Sequence, residues 1–150
     1  MRRPALTAAA LVLATAPSAC GGDEGAASPA DAVRAYNNAV ADGDGERACN
    51  QLDSAAQQEL RDSTQGAARG SCKQVIELVA AFYDDATKER LRDAKVAGSE
   101  QGDRGSARFT SPVGFGGPER EQTYELRKVD GEWKITSLGL TLGEPGIGAP

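Results

Sequence analysis

The 150-residue sequence predicts an α+β domain in which N-terminal helices pack on a curved antiparallel sheet. Three observations carry that expectation. Up to about residue 93 apolar residues recur at spacings of three and four, the period of a helix buried on one face. Beyond residue 93 the period falls to two, that of a half-buried strand. Asp130-Gly131 then separates two alternating runs, and this dipeptide is a strong signal for a two-residue hairpin turn. Helices first and meandering strands afterwards define two packed layers.

Taken in order, Ser28-Pro29-Ala30-Asp31 opens the first helix, with Ser as N-cap, Pro at the first position and an acid three residues after the cap. Val33, Tyr36 and Val40 form its apolar stripe, and "DGDG" stops it. A second helical region starts near Glu46, with Cys49 and Leu52 facing inward. It restarts after Ser54, where Ser54 and Gln57 have capping-box spacing. Ser71 and Gln74 repeat that spacing before the strongest stripe of the chain, Cys72, Val75, Ile76, Val79, Phe82 and Tyr83. A short helical continuation follows at "ATKERLRD".

The strand half begins at "DAKVAGSE". In "GSARFTSPV" the residues Ala107, Phe109, Ser111 and Val113 share one face. A two-residue turn at Asp130-Gly131 sets Leu126 opposite Ile135 and Lys128 opposite Trp133, so one face carries Tyr124, Leu126, Trp133 and Ile135. Leu138, Leu140 and Leu142 have the wrong parity for that face, which calls for a bulge near Ser137 or a second contact surface. Arg127 falls opposite Lys134, a repulsion that Glu125 relieves diagonally.

Charge excludes one class of partner. The formal net charge is -5, and without Arg2 and Arg3 the remaining 15 basic and 22 acidic side chains give -7. The basic residues are scattered among acids, whereas phosphate backbones are bound by clustered Lys and Arg, so a nucleic-acid partner is not expected. No stretch after residue 30 approaches the length needed to span a bilayer.

Residues 1–20 read "MRRPALTAAALVLATAPSAC": two arginines, an apolar run from Ala5 to Ala16, then small residues up to Cys20. This is the layout of a secretory signal, too short for a transmembrane helix. Ser18, Ala19 and Cys20 resemble the lipobox of bacterial lipoproteins, in which the cysteine is lipidated on sulfur and becomes the first mature residue. Pro17 departs from that pattern, which usually has an aliphatic residue there. The resemblance implies a signal peptide over 1–19 and anchorage to the extracytoplasmic face of the cell membrane by acyl chains on Cys20. A flexible tether follows over 20–28, on the order of 15 to 20 Å end to end. The alternative is a secreted protein with a spare thiol at Cys20. With Cys20 lipidated, Cys49 and Cys72 are left, and an oxidising compartment makes a disulfide their default state, the alternative being two buried thiols.

"ADAVRAYNNAVADGDGERACNQL" and "YELRKVDGEWKITSL" resemble the opening helices and closing hairpin of nuclear transport factor 2-like domains. The resemblance covers about residues 29–142, leaving 143–150 as a frayed tail. It implies a cone-shaped α+β roll with an apolar pocket in its mouth, for which Tyr36, Phe82, Tyr83, Phe109, Tyr124 and Trp133 are the candidate lining residues; the tyrosines and Trp133 read first as core members. In the enzymes of that superfamily the pocket holds catalytic Asp, Tyr or His. This chain has no histidine, and its Asp84 and Asp85 match no catalytic motif; they read first as solvated helix-end residues.

No phosphate loop, serine triad, cofactor motif or metal-ligand spacing is present in the sequence, and no catalytic, metal or cofactor residue is assigned. "SPVGFGGPE" sets Phe115 either at a pocket mouth or in a solvated hairpin loop. The leading expectation is a non-catalytic lipoprotein whose domain binds a small apolar ligand or another envelope protein. Two alternatives stand beside it: an isomerase- or dehydratase-type enzyme using an Asp/Tyr pocket, and a purely structural envelope module.

Overall fold

The computed structural model describes residues 25–63, 70–112 and 119–139. Cys20 and the segment before it, Val113, Phe115, Leu140, Leu142 and the tail 143–150 lie outside the described residues. Five helices, α1 (Pro29–Asp42), α2 (Gly45–Asn50), α3 (Ser54–Ser63), α4 (Cys72–Phe82) and α5 (Asp85–Arg92), precede four strands. These are β1 (Ala97–Gln101), β2 (Arg104–Pro112), β3 (Glu119–Val129) and β4 (Glu132–Ser137), joined as an antiparallel meander in sequence order. The fold is α+β, with helices packed on the sheet.

Local chemistry sets the helix boundaries. Ser28 caps α1 by accepting the Asp31 N–H, Pro29 occupies the first turn, and Gly43, with φ 72°, closes the other end in the left-handed region that favours glycine. Ser71 and Gln74 form the reciprocal capping box of α4. At α3 the sequence expectation is corrected by one residue: the cap is Asp53, whose carboxylate accepts the Ala56 N–H at 2.9 Å, and Ser54 is already inside the helix. Gln57 donates instead to the carbonyls of Cys49 and Leu52, tying α3 to α2.

Sheet register follows from the hairpin. Asp130 and Gly131 both have positive φ, as a type I′ turn requires, and Leu126 pairs with Ile135 and Lys128 with Trp133. Glu125 then pairs with Ser137, which leaves Thr136 as the extra residue of a bulge. One inserted residue reverses the parity of everything after it, so Leu138 turns inward and is buried. The Arg127 and Lys134 pair is relieved differently from the expectation: Lys134 Nζ lies 2.9 Å from Glu132 and donates to the Asn50 carbonyl at 2.9 Å, so Glu125 is not its counter-ion.

The outer edge of β4 is covered by chain that precedes the sheet. Trp133 N–H donates to Ala26 O, Ile135 N–H to Gln51 O at 2.8 Å, and Asp53 N–H to Ile135 O at 2.9 Å. An otherwise open edge is thereby satisfied. The start of α1 crosses the inner sheet face so closely that a Cβ at Gly105 would stand 2.7 Å from Pro29 Cγ, and one at Gly98 2.9 Å from Ala30 N. Between the layers lies one core, with Val33, Val75, Ile76, Trp133 and Ile135 almost fully enclosed.

Cys49 and Cys72 are joined, linking α2 to the first turn of α4 across a Cα separation of 6.1 Å. By the chain-entropy argument a loop of this size contributes about 3 kcal/mol. Among the described residues no helix is long and apolar enough to cross a membrane.

Candidate functional site

The six side chains expected to line a pocket separate into three environments. Tyr36 on α1, Phe109 on β2 and Tyr124 on β3 meet edge to face, with ring centroids 6.0 Å apart for Tyr36 and Tyr124 and 4.9 Å for Phe109 and Tyr124. Together with fully buried Trp133 they are core members, and the rings pack on one another. Tyr83, at the C-terminal end of α4, is half-buried. Phe82 is 64% exposed. It sits one heptad after buried Val75, but α4 ends there, and the chain turns into extended backbone at Tyr83.

Burial holds the phenols of Tyr36 and Tyr124 far above their ordinary value, and neighbouring groups add to it: Tyr83 for Tyr36, and Tyr36, Tyr83 and Glu59 for Tyr124. Tyr83 is raised by burial alone. Glu59, which sequence reasoning did not single out, comes from α3 and accepts the Leu138 N–H at 2.9 Å. Its only sequence signal was its place on the helix that flanks the bulge. Two buried donors in the core, Asn37 Nδ2 and Trp133 Nε1, have no partner among the described residues.

A second, polar site opens where the end of α1 meets α5. Ala41, Asp42, Asp85, Lys88, Glu89, Arg92 and Asp93 line a solvent-open groove of about 700 Å³. Asp42 organises it, accepting from Arg92 and Arg47 at 2.9 Å each. The Arg92 hydrogen bond is the main reason its carboxyl lies below the usual range, with Arg47 contributing. Asp84 is exposed and caps α5 by accepting the Thr87 N–H at 2.8 Å; the Thr87 hydrogen bonds lower its carboxyl. Asp85 opens α5 on the groove rim. Neither acid is buried, so neither has the desolvated setting that tunes a carboxylate toward general-base work. Leu78 and Phe82, one turn apart on α4, are exposed. Among the described residues no group of His, Cys, Asp or Glu is arranged to hold a metal ion.

Residues 18–136 match the family model described as "Domain of unknown function (DUF4878)". No curated protein matches the chain. Among solved structures, a SEC-C motif containing protein from Rhodopseudomonas palustris is similar at 22% identity and a TM-score of 0.44, covering 76% of this chain and 79% of that one. A putative calcium/calmodulin dependent protein kinase II association domain from Xanthomonas campestris is similar at 16% identity and a TM-score of 0.35, covering 68% of this chain and 76% of that one.

Proposed function

The chain belongs to the DUF4878 family, and on that premise we propose that it is an extracytoplasmic lipoprotein, held on the bacterial cell membrane by acyl chains on Cys20, whose nuclear transport factor 2-like domain binds another envelope protein without catalysis. The observation that carries this reading is the cysteine inventory. Of three cysteines, Cys49 and Cys72 are bridged, and Cys20 is left beside an apolar run and small residues of lipobox type. Disulfides persist in oxidising compartments, which agrees with export. Two acyl chains are needed for stable anchoring, and a diacylglyceryl cysteine supplies them.

A protein partner is favoured over a small apolar ligand because the aromatic residues that would line a ligand pocket are spent on the core. What the domain offers instead is exposed Leu78 and Phe82 on α4 and a charged groove between α1 and α5. The helices on one side of an antiparallel meander, and the Trp133-Lys134-Ile135 hairpin, support the superfamily reading.

Feeding cells an alkyne fatty acid tests the anchor: label is expected on the wild-type chain and lost in Cys20→Ser. Label that persists in Cys20→Ser, or is absent from wild type, contradicts it. For the binding surface, a photo-crosslinking residue at Phe82 should give a discrete protein adduct that the same residue at Thr110, on the outer sheet face, does not.

A further inference from the structure

Strand pairing builds a row of cations across the sheet face that the helices leave uncovered. Arg104 on β2 is directly opposite Arg127 on β3, and Arg127 is directly opposite Lys134 on β4. Neighbouring strands are about 4.8 Å apart, so three positive side chains stand side by side on one face. Like charges in that arrangement are destabilising. Lys134 is compensated by Glu132 and the Asn50 carbonyl. Arg104 and Arg127 are exposed and have no hydrogen bond or ion pair among the described residues. Arg108 lies on the same face, beside the Ser99 and Ser106 hydroxyls, which are 2.9 Å apart, and exposed Glu125, opposite Ser106, and Glu121, opposite Thr110, share that face farther from the turn end.

The row stands at the end of the sheet where the chain enters the domain. The β1–β2 and β3–β4 turns lie at this end, joined by the Lys128 N–H to Asp103 O bond at 2.8 Å. Ala26 is hydrogen-bonded to Trp133, and Gly25 lies against the Glu132 side chain. Only five residues lead from Cys20 to Gly25, a span of about 17 Å at full extension.

We infer that Arg104 and Arg127 dock the outer sheet face onto the anionic lipid surface to which Cys20 is anchored, a step that rests on the lipidation proposed above. The tether is short enough to hold the row close to the headgroups, and exposed basic groups are attracted to a negative bilayer over about one Debye length, roughly 8 Å at physiological salt. Asp103 and Asp130 occupy the two turns, so the flat face and not the turn tips meets the bilayer. Such docking leaves α4 and α5, at the other end of α1, turned away from the membrane toward partners.

The test uses the full acylated chain purified from membranes and placed in supported bilayers of phosphatidylcholine, with or without phosphatidylglycerol. Neutron reflectometry then reads the height of the protein layer. On the anionic bilayer the layer should lie lower, by on the order of 10 Å given the tether's reach, and should rise at high salt. Arg104→Glu with Arg127→Glu should abolish the difference, and the gentler Arg104→Gln with Arg127→Gln should reduce it while leaving the circular dichroism unchanged. Equal heights on both bilayers, or a charge-reversed chain that still lies low, would overturn the inference while leaving the anchor intact. A chain recovered without acyl mass would overturn the anchor and the inference together.

Discussion

Tyr36 and Tyr124 lie in the core, and their burial gives it a pH signature. An unfolded tyrosine ionises near pH 10, whereas both folded phenols are raised well above that. The unfolded chain therefore releases these protons first. Their contribution to stability is complete below about pH 10 and is lost as pH rises beyond it. An absorbance titration should show these rings silent past pH 10 until the protein unfolds, with all signal then appearing cooperatively. Smooth ionisation of every tyrosine at the ordinary value, in folded protein, would contradict a closed core. Gly105 gives a second residue-scale check. Its Cβ would stand 2.7 Å from Pro29 Cγ and 3.0 Å from the Trp133 ring, so Gly105→Ala should destabilise by about 1 to 3 kcal/mol in urea melts. At Gly102, where φ is 65°, the space around a Cβ is empty, and Gly102→Ala should cost only the backbone strain of about 1 kcal/mol. The side of the chain on which Tyr36, Phe109, Tyr124 and Trp133 lie was legible, because period reports facing. Whether their rings enclose a space or fill it was not, because volume is set by partners distant in sequence.

Caps and turns, which act over three or four residues, were the most legible elements. Ser28, Ser71 with Gln74, and Asp130-Gly131 all perform as their spacing implies. The α3 start was misplaced because Asp53 and Ser54 are adjacent cap formers, and only the neighbouring Ile135 backbone, which fixes Asp53, selects between them. Asp53→Ala should cost about 1 kcal/mol of stability and Ser54→Ala close to nothing; the reverse order in thermal melts would return the cap to Ser54. A bulge near Ser137 was one of two readings of the parity of Leu138, Leu140 and Leu142, and the extra residue is Thr136. Phe82, on the same stripe as buried Val75, is exposed. A stripe does not say where its helix outruns the layer beneath it. Between elements, the Cys49 to Cys72 bridge fastens α2 to α4, and replacing both cysteines by Ala should lower stability by about 3 kcal/mol, read as a lower urea midpoint.

At the scale of the whole molecule, composition and the order of periods were enough to reach an α+β layered domain, but the groove between α1 and α5 was invisible in advance. It is made by Asp42 and Arg92, separated by three other helices in the chain and joined only by packing. The groove should also loosen in acid. The Asp42 carboxyl is lowered in the folded state, mainly by Arg92, so its stabilising effect is present above the unfolded carboxylate pKa and is lost as pH falls through the folded value. Hydrogen exchange at the end of α5, where Arg92 lies, should rise at low pH in wild type and already be raised at neutral pH in Asp42→Asn. Cys49 and Cys72 are paired, and the proposed function rests on one covalent modification, lipid on Cys20 outside the cell. Intact-mass spectrometry of the protein extracted from its own membrane measures this directly. The account predicts a chain beginning at Cys20, heavier by a diacylglyceryl group, with the two remaining cysteines refractory to alkylation until reduced. A chain with an unmodified Cys20, or one in which all three thiols alkylate freely, would contradict it.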